Sequence, residues 1–185
     1  MISDVVIMNV VMIYDMKSDS VLLQNRTKKW KGGCFPGGHL EDGETINASA
    51  VREIFEETGL TVKNLVPCGY VHWNKAPDRN EIIFCYRTSD FSGELKQCEE
   101  GENYWVKREE LLSQPLTRWF RDQLPIFFGS GYTEFSHVHS EEAGGYTVKF
   151  DTSGLLPEPG FLPEFCTFPE NAAGGSGKND KGERV

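Results

Sequence analysis

Between Gly38 and Leu60 the chain reads GHLEDGETINASAVREIFEETGL, and its carboxylates are spaced for a purpose. Glu53, Glu56 and Glu57 stand at i, i+3 and i+4, so on a helix they share one face. Ala48, Val51, Ile54, Phe55 and Leu60 supply apolar positions around the other side, which makes the segment amphipathic. Each like-charged pair at that spacing costs about 0.2–0.5 kcal/mol, so a positive partner is required. Arg52 is placed to reach Glu56 at i+4, or Glu44 across the preceding loop. Divalent cations, which prefer hard oxygen ligands, would offset the remainder. The bland alternative for a bare ExxEE is a solvated acidic helix face.

Local elements must position these groups. Phe35-Pro36-Gly37-Gly38 reads as a strand or turn where the backbone passes close to something, since glycine permits that approach and a positive φ. Asp42-Gly43 is a second turn signal. Thr45 is the candidate N-cap, although Ala48 at N3 denies it a capping box. The helix is expected over Ile46 to Thr58, stopped by Gly59 at C′.

Taken together, Gly38, Glu44, Arg52, Glu53, Ile54, Glu56, Glu57, Gly59 and Leu60 match every fixed position of GX5EX7REUXEEXGU, with U aliphatic. The chain therefore resembles the Nudix hydrolase family. The resemblance implies an α/β fold, an α/β/α sandwich with a mixed β-sheet between helices. It also implies hydrolysis of a nucleoside diphosphate linked to another moiety, with Mg²⁺ as cofactor and Mn²⁺ as substitute. Divalent ions would offset the polyphosphate charge and activate the attacking water. Carried over from the family, the metal ligands are Glu53, Glu56, Glu57 and a carbonyl of Gly37 or Gly38, while Glu44 and Gly59 are structural. Arg52, counted with the catalytic set of Glu53, Glu57 and Glu102, braces loop to helix through an ion pair with Glu44. A carboxylate outside the box is expected to join the site; Glu102 is favoured over Glu100 and Glu99, and Glu53 is the rival general base.

Within the family, WKGGCFPGGHLEDGE with FSGEL and EEGENYWV resembles the MutT-like branch, which includes 8-oxo-dGTP diphosphatases. That implies nucleoside triphosphates as substrate, cleaved to NMP and pyrophosphate. Candidate nucleotide contacts are Arg26 for phosphate, Phe35 packing under the base, Gly37 from the turn, and Trp73, Asn74 and Asn80 as an aromatic stack with amides. Each has a structural alternative: Phe35 as core, Arg26 as a solvated strand residue, Trp73 as sheet packing. ADP-ribose or a dinucleoside polyphosphate remains an alternative substrate, and a nucleotide-binding module without turnover is another, although its expected hallmark, a broken REUXEE, is missing.

The remaining composition sets bounds. The chain has 185 residues and a net charge of −9, which disfavours a nucleic-acid polymer as partner because phosphate contacts need Lys and Arg. No apolar run approaches the ~20 residues that span a bilayer, so no membrane association is expected. The first residues, MISDVVIMNVVMIYDM, lack a basic region and read as a strand. Five cysteines without a CxxC suggest reduced thiols and a cytoplasmic location, with Cys34 a small filler beside the site. Assembly as a homodimer is left open.

Strands are expected at Val5 to Tyr14, Val21 to Arg26, Thr61 to Lys63, Pro67 to Trp73, Glu81 to Thr88 and Asn103 to Lys107. Asn74 to Asn80 and Asp90 to Gly93 read as turns, Arg108 to Leu112 as a helix start, and Leu116 to Phe127 as a second helix. Tyr132 to His139 and Tyr146 to Asp151 read as a closing hairpin, with His137 and His139 as exposed strand histidines. The domain is thus expected over 1–151. A Pro/Phe-rich then Gly/Ser-rich extension follows over 152–185, where Phe161, Phe165 and Phe168 could dock onto the domain or a partner, the end being mobile.

Overall fold

The computed structural model describes residues 4–28, 31–76, 79–129, 131–140 and 145–151. The extension and its phenylalanines lie outside them, as does Trp30. Five strands and a helix lead the chain: β1 (Asp4–Asp15), β2 (Ser20–Arg26), β3 (Gly32–Cys34), α1 (Ile46–Thr58), β4 (Leu60–Lys63) and β5 (Val66–Ala76). Then come β6 (Arg79–Thr88), β7 (Asp90–Gly93), β8 (Gly101–Lys107), a 3-10 turn (Arg108–Ser113), α2 (Arg118–Phe127), β9 (Glu134–Ser140) and β10 (Gly145–Asp151).

One mixed sheet dominates, in the order β10-β9-β5-β6-β1-β2-β3, with β8 on the other side of β2. β1 pairs with β6 in parallel, Val5 opposite Asn80 and Asn9 opposite Phe84, and β5 pairs with β9 in parallel. The other strand pairs are antiparallel. β1 meets β2 only at Tyr14–Asp15, and the rest of that edge is taken by the Gly turn. Asn9 N donates to Gly38 O, Val11 N to Pro36 O and Leu40 N to Ile7 O, so the turn runs as an irregular strand along β1.

The apolar run of β1 is continuous because both faces of the sheet are covered. Met12 faces α2 with Leu23, Phe35, Val71, Phe120, Leu124 and Phe127. Val11 and Ile13 face α1 with Leu22, Ala50, Ile54, Leu60 and Val62. Burying each large aliphatic side chain contributes about 1.5–3 kcal/mol, so α1 is held by packing more than by propensity.

Four expectations change. Asn74 to Asn80 is not a long loop: β5 and β6 run to Ala76 and from Arg79, with Asn74 opposite Asn80. Asp90–Gly93 is a strand, because β4 offers it an edge. Arg108–Ser113 makes a tight 3-10 turn, and α2 begins two residues later than expected. Pro115 and the extended Thr117 (ψ 142°) separate the two. His137 is fully buried, not exposed, because β9 lies under α2.

Candidate active site

α1 begins and ends where its capping residues dictate. Thr45 accepts from Ala48 N at 3.1 Å, and Gly59 adopts φ +73° while its N–H closes on Phe55 O. The helix is thereby fixed beside the Gly turn. Gly37 has φ +151°, and a Cβ there would lie 2.3 Å from Asn9 O, so only glycine fits against β1.

The three box carboxylates take different settings on this face. Glu57 is buried, 7 % exposed, and its Oε2 accepts from Gly37 N at 3.0 Å. Glu53 lies over the same turn: its Oε1 accepts from His39 N at 3.1 Å. Glu56 points outward, its side chain 57 % exposed, where Arg52 Nη1 holds it at 3.0 Å. Arg52 ties this part of the face together. It also pairs with Glu44 through Nε at 2.7 Å and with Glu53 through Nη1 at 3.1 Å, and donates to His39 O. The loop-to-helix brace read from the sequence is therefore a network of one guanidinium and three close carboxylates. Arg52 holds the Glu44 carboxyl down at about 2.

Glu57 behaves differently. Loss of water on burial pushes its carboxyl up to about 7, against the Gly37 N–H, and the charges of Glu100 and Glu53 push the same way. Its surroundings come from distant strands. Gln24 Nε2 of β2 reaches Glu57 Oε2 at 3.3 Å, and Asn103 Nδ2 of β8 donates to the Glu57 backbone carbonyl at 2.6 Å. Neither residue was singled out by sequence reasoning. Their only local signal was a polar residue at an inward position of a strand.

Among the outer carboxylates, Glu100 is the one tied into this region. It holds Arg26 at 2.8 Å, and its charge acts on Glu57. Glu102 alternates to the face opposite Asn103 and is exposed there, beside Tyr104. Glu99 is exposed, with Lys28 4.0 Å from it.

The expected nucleotide contacts separate. Phe35 is 2 % exposed and sits edge-to-face against Phe120 and Phe127, so it is core and presents no face to a base. Trp73 packs under α2 against Trp119 and His137. Asn74 and Asn80 lie on the other face of the sheet, because neighbours in a strand alternate. There Asn80 Oδ1 meets His72 Nε2 at 2.7 Å and accepts from Asn74 Nδ2 at 3.3 Å. Asn80 is 3 % exposed and its Nδ2 has no partner. Cys34 is half-buried, and burial pushes its thiol up to about 12, so it is an inert filler.

Among the described residues no three His, Cys, Asp or Glu side chains are gathered into a closed metal cage. The donor set nevertheless fits a divalent cation. A buried carboxyl on which the charges of Glu100 and Glu53 act, with Arg26 only partly offsetting them, is stabilised in its charged form by a positive ion. The Gly turn touches both carboxylates, Gly37 N donating to Glu57 and His39 N to Glu53.

A family model described as "NUDIX domain" matches residues 5–127. An ADP-ribose pyrophosphatase of Methanocaldococcus jannaschii is 37 % identical over 90 residues, covering 46 % of this chain and 53 % of the relative. An oxidized purine nucleoside triphosphate hydrolase of Danio rerio is 28 % identical over 100 residues, covering 54 % and 60 %. The chain thus spans between half and two thirds of these relatives' lengths. Among solved structures, a MutT protein from Bacillus halodurans superposes with a TM-score of 0.65 at 24 % identity, over 80 % of this chain and 99 % of that one. That likeness is one of fold. Among the described residues no helix is long and apolar enough to cross a membrane.

Proposed function

The chain belongs to the NUDIX domain family, and from that premise we propose that it is a metal-dependent hydrolase cleaving the pyrophosphate bond of nucleoside triphosphates to NMP and pyrophosphate. The substrate class we favour is oxidised purine nucleotides such as 8-oxo-dGTP. The observation that carries the reading is the Gly37–Gly38 turn, which donates to Glu57 from Gly37 N and, at His39 N, to Glu53.

Mg²⁺, or Mn²⁺ in its place, would be held by Glu53 and Glu57 with a carbonyl of the turn, with Glu56 and Glu100 within the same electrostatic field. Such an ion supplies charge neutralisation at phosphate and lowers the pKa of a bound water. Glu53 or Glu57 then accepts the proton of the attacking water. Arg52 keeps the loop and helix in register. Arg26, on the β2 face shared with Gln24, offers a guanidinium to phosphate oxygens once Glu100 releases it. Glu100 stands ahead of Glu102 as the outer carboxylate, because its charge acts on Glu57. Of the His72, Asn74 and Asn80 group, the half-buried His72 and Asn74 offer polar edges to a base, Asn80 itself being buried.

A panel of nucleotides with Mg²⁺, followed by product analysis, tests this. NMP with pyrophosphate from a triphosphate supports it; inert triphosphates overturn it. A second reading has ADP-ribose or a dinucleoside polyphosphate as substrate, favoured by the 37 % identity to an ADP-ribose pyrophosphatase. The same panel distinguishes it, and a chain that binds nucleotide without turnover would be a binding module.

A further inference from the structure

Gln24 lies in the middle of β2, and almost nothing about its position suits a polar side chain. It is 1 % exposed, and its strand neighbours Leu22 and Leu23 are fully buried. Burying an amide costs free energy unless its hydrogen bonds are made. Gln24 makes them sparingly. Nε2 points to Glu57 Oε2 at 3.3 Å and to Cys98 Sγ at 3.5 Å, while Oε1 has no partner among the described residues. A leucine would pack there without that penalty. The residue is therefore better explained by what it does to Glu57 than by what it does for the core.

What it does follows from the geometry of one oxygen. Glu57 Oε2 receives two donors, Gly37 N from the turn and Gln24 Nε2 from β2. The backbone carbonyl of Glu57 is held separately by Asn103 of β8. A carboxylate whose Oε2 is occupied by two donors, on a backbone pinned by a third, has its rotation stopped. Oε1 is then the oxygen left to face a cation.

We propose that Gln24 is a positioning residue: its amide, with Gly37 N, fixes Oε2 of Glu57 so that Oε1 is presented to the divalent ion. The proposal rests on the reading of Glu57 as a metal ligand. Partners of this kind, one bond removed from the ion, typically alter metal affinity by about 10–100-fold when removed.

The experiment is a Mn²⁺ titration of the full chain followed by electron paramagnetic resonance, with thermal melts of the metal-free proteins alongside. Wild type is compared with Gln24→Met, which keeps the shape and removes the amide, and with Cys98→Ala, which removes the other partner of Nε2. The expected result is Mn²⁺ affinity about 10–100-fold weaker in Gln24→Met and unchanged in Cys98→Ala, with Gln24→Met melting no lower than wild type. Equal affinity in Gln24→Met and wild type overturns the proposal while leaving Glu57 a ligand. Equal weakening in both variants marks a packing effect and also overturns it. No saturable binding by wild type sinks the Glu57 reading itself. Should Gln24→Met fail to fold, the side-chain amide signal of Gln24 in wild-type NMR spectra decides: it moves with Mg²⁺ saturation if the proposal holds and stays still if it does not.

Discussion

A Cβ added to Gly38 would lie 2.3 Å from Cδ of Glu53 and within 2.5 Å of both carboxylate oxygens. The absence of a side chain at one residue is thus the seat of the carboxylate at another. Gly38 has an ordinary backbone φ, so its identity is dictated by this approach and not by backbone strain.

Gly38→Ala is accordingly expected to expel Glu53 from its bond with His39 N while sparing the core. Turnover should fall by at least about tenfold, and the melting temperature should change little, because the displaced carboxylate can turn to solvent. Steady-state kinetics with Mg²⁺, beside a thermal melt, checks both halves. Near-normal turnover would show that Glu53 does not need its seat.

Glu57 should make the metal-free protein less stable as pH rises. Its folded pKa of about 7 lies above the ordinary value of 4.5. The folded state therefore binds more protons across that window, and stability present below 4.5 is lost as pH rises through 7. The upper bound is about 3 kcal/mol. Glu57→Gln should flatten this slope in melts with chelator present, and should depress turnover by orders of magnitude. A slope unchanged by the substitution would place the titration elsewhere.

The Arg52 network predicts the opposite sign at Glu44. Its folded pKa is about 2, below the ordinary 4.5. Stability from this pair is present above 4.5 and disappears as pH falls through 2. Glu44→Gln should therefore bring acid unfolding to a higher pH midpoint, and circular dichroism across an acid titration reads it. Arg52→Ala should do the same and also loosen Glu53, so it alone of the two is expected to lower turnover strongly.

His137 is a buried imidazole whose Nδ1 and Nε2 have no hydrogen bond among the described residues, set between Trp73, Trp119 and Phe135. Burial lowers its pKa from 6.5 to about 4. The unfolded chain then binds the extra proton, so stability complete above 6.5 is lost as pH falls toward 4. His137→Phe should remove that slope and raise the melting temperature at pH 5 by roughly 2–4 °C, about 1 kcal/mol. A lower melting temperature in the variant at that pH would mean the cage does not accept the larger ring.

Sequence alone determined the parts of this protein governed by local chemistry. The helix from Ile46 to Thr58, its Thr45 and Gly59 caps, the i,i+4 reach of Arg52 to Glu56 and the main strands all follow from spacing of a few residues, where 3.6-residue periodicity and capping act. Tertiary structure alone decided which carboxylate is buried and which is exposed. Gln24 and Asn103 reach Glu57 across 33 and 46 residues, and nothing in the box itself distinguishes Glu57 from Glu56. It also separated Trp73 from Asn74 and Asn80, put Phe35 in the core, and set Glu100 where its charge acts on Glu57 while Glu102 takes the other face. The reason is physical: strand side chains alternate with a period of two, so pairing register sets the face each one takes, and register is fixed by partners far away in the chain.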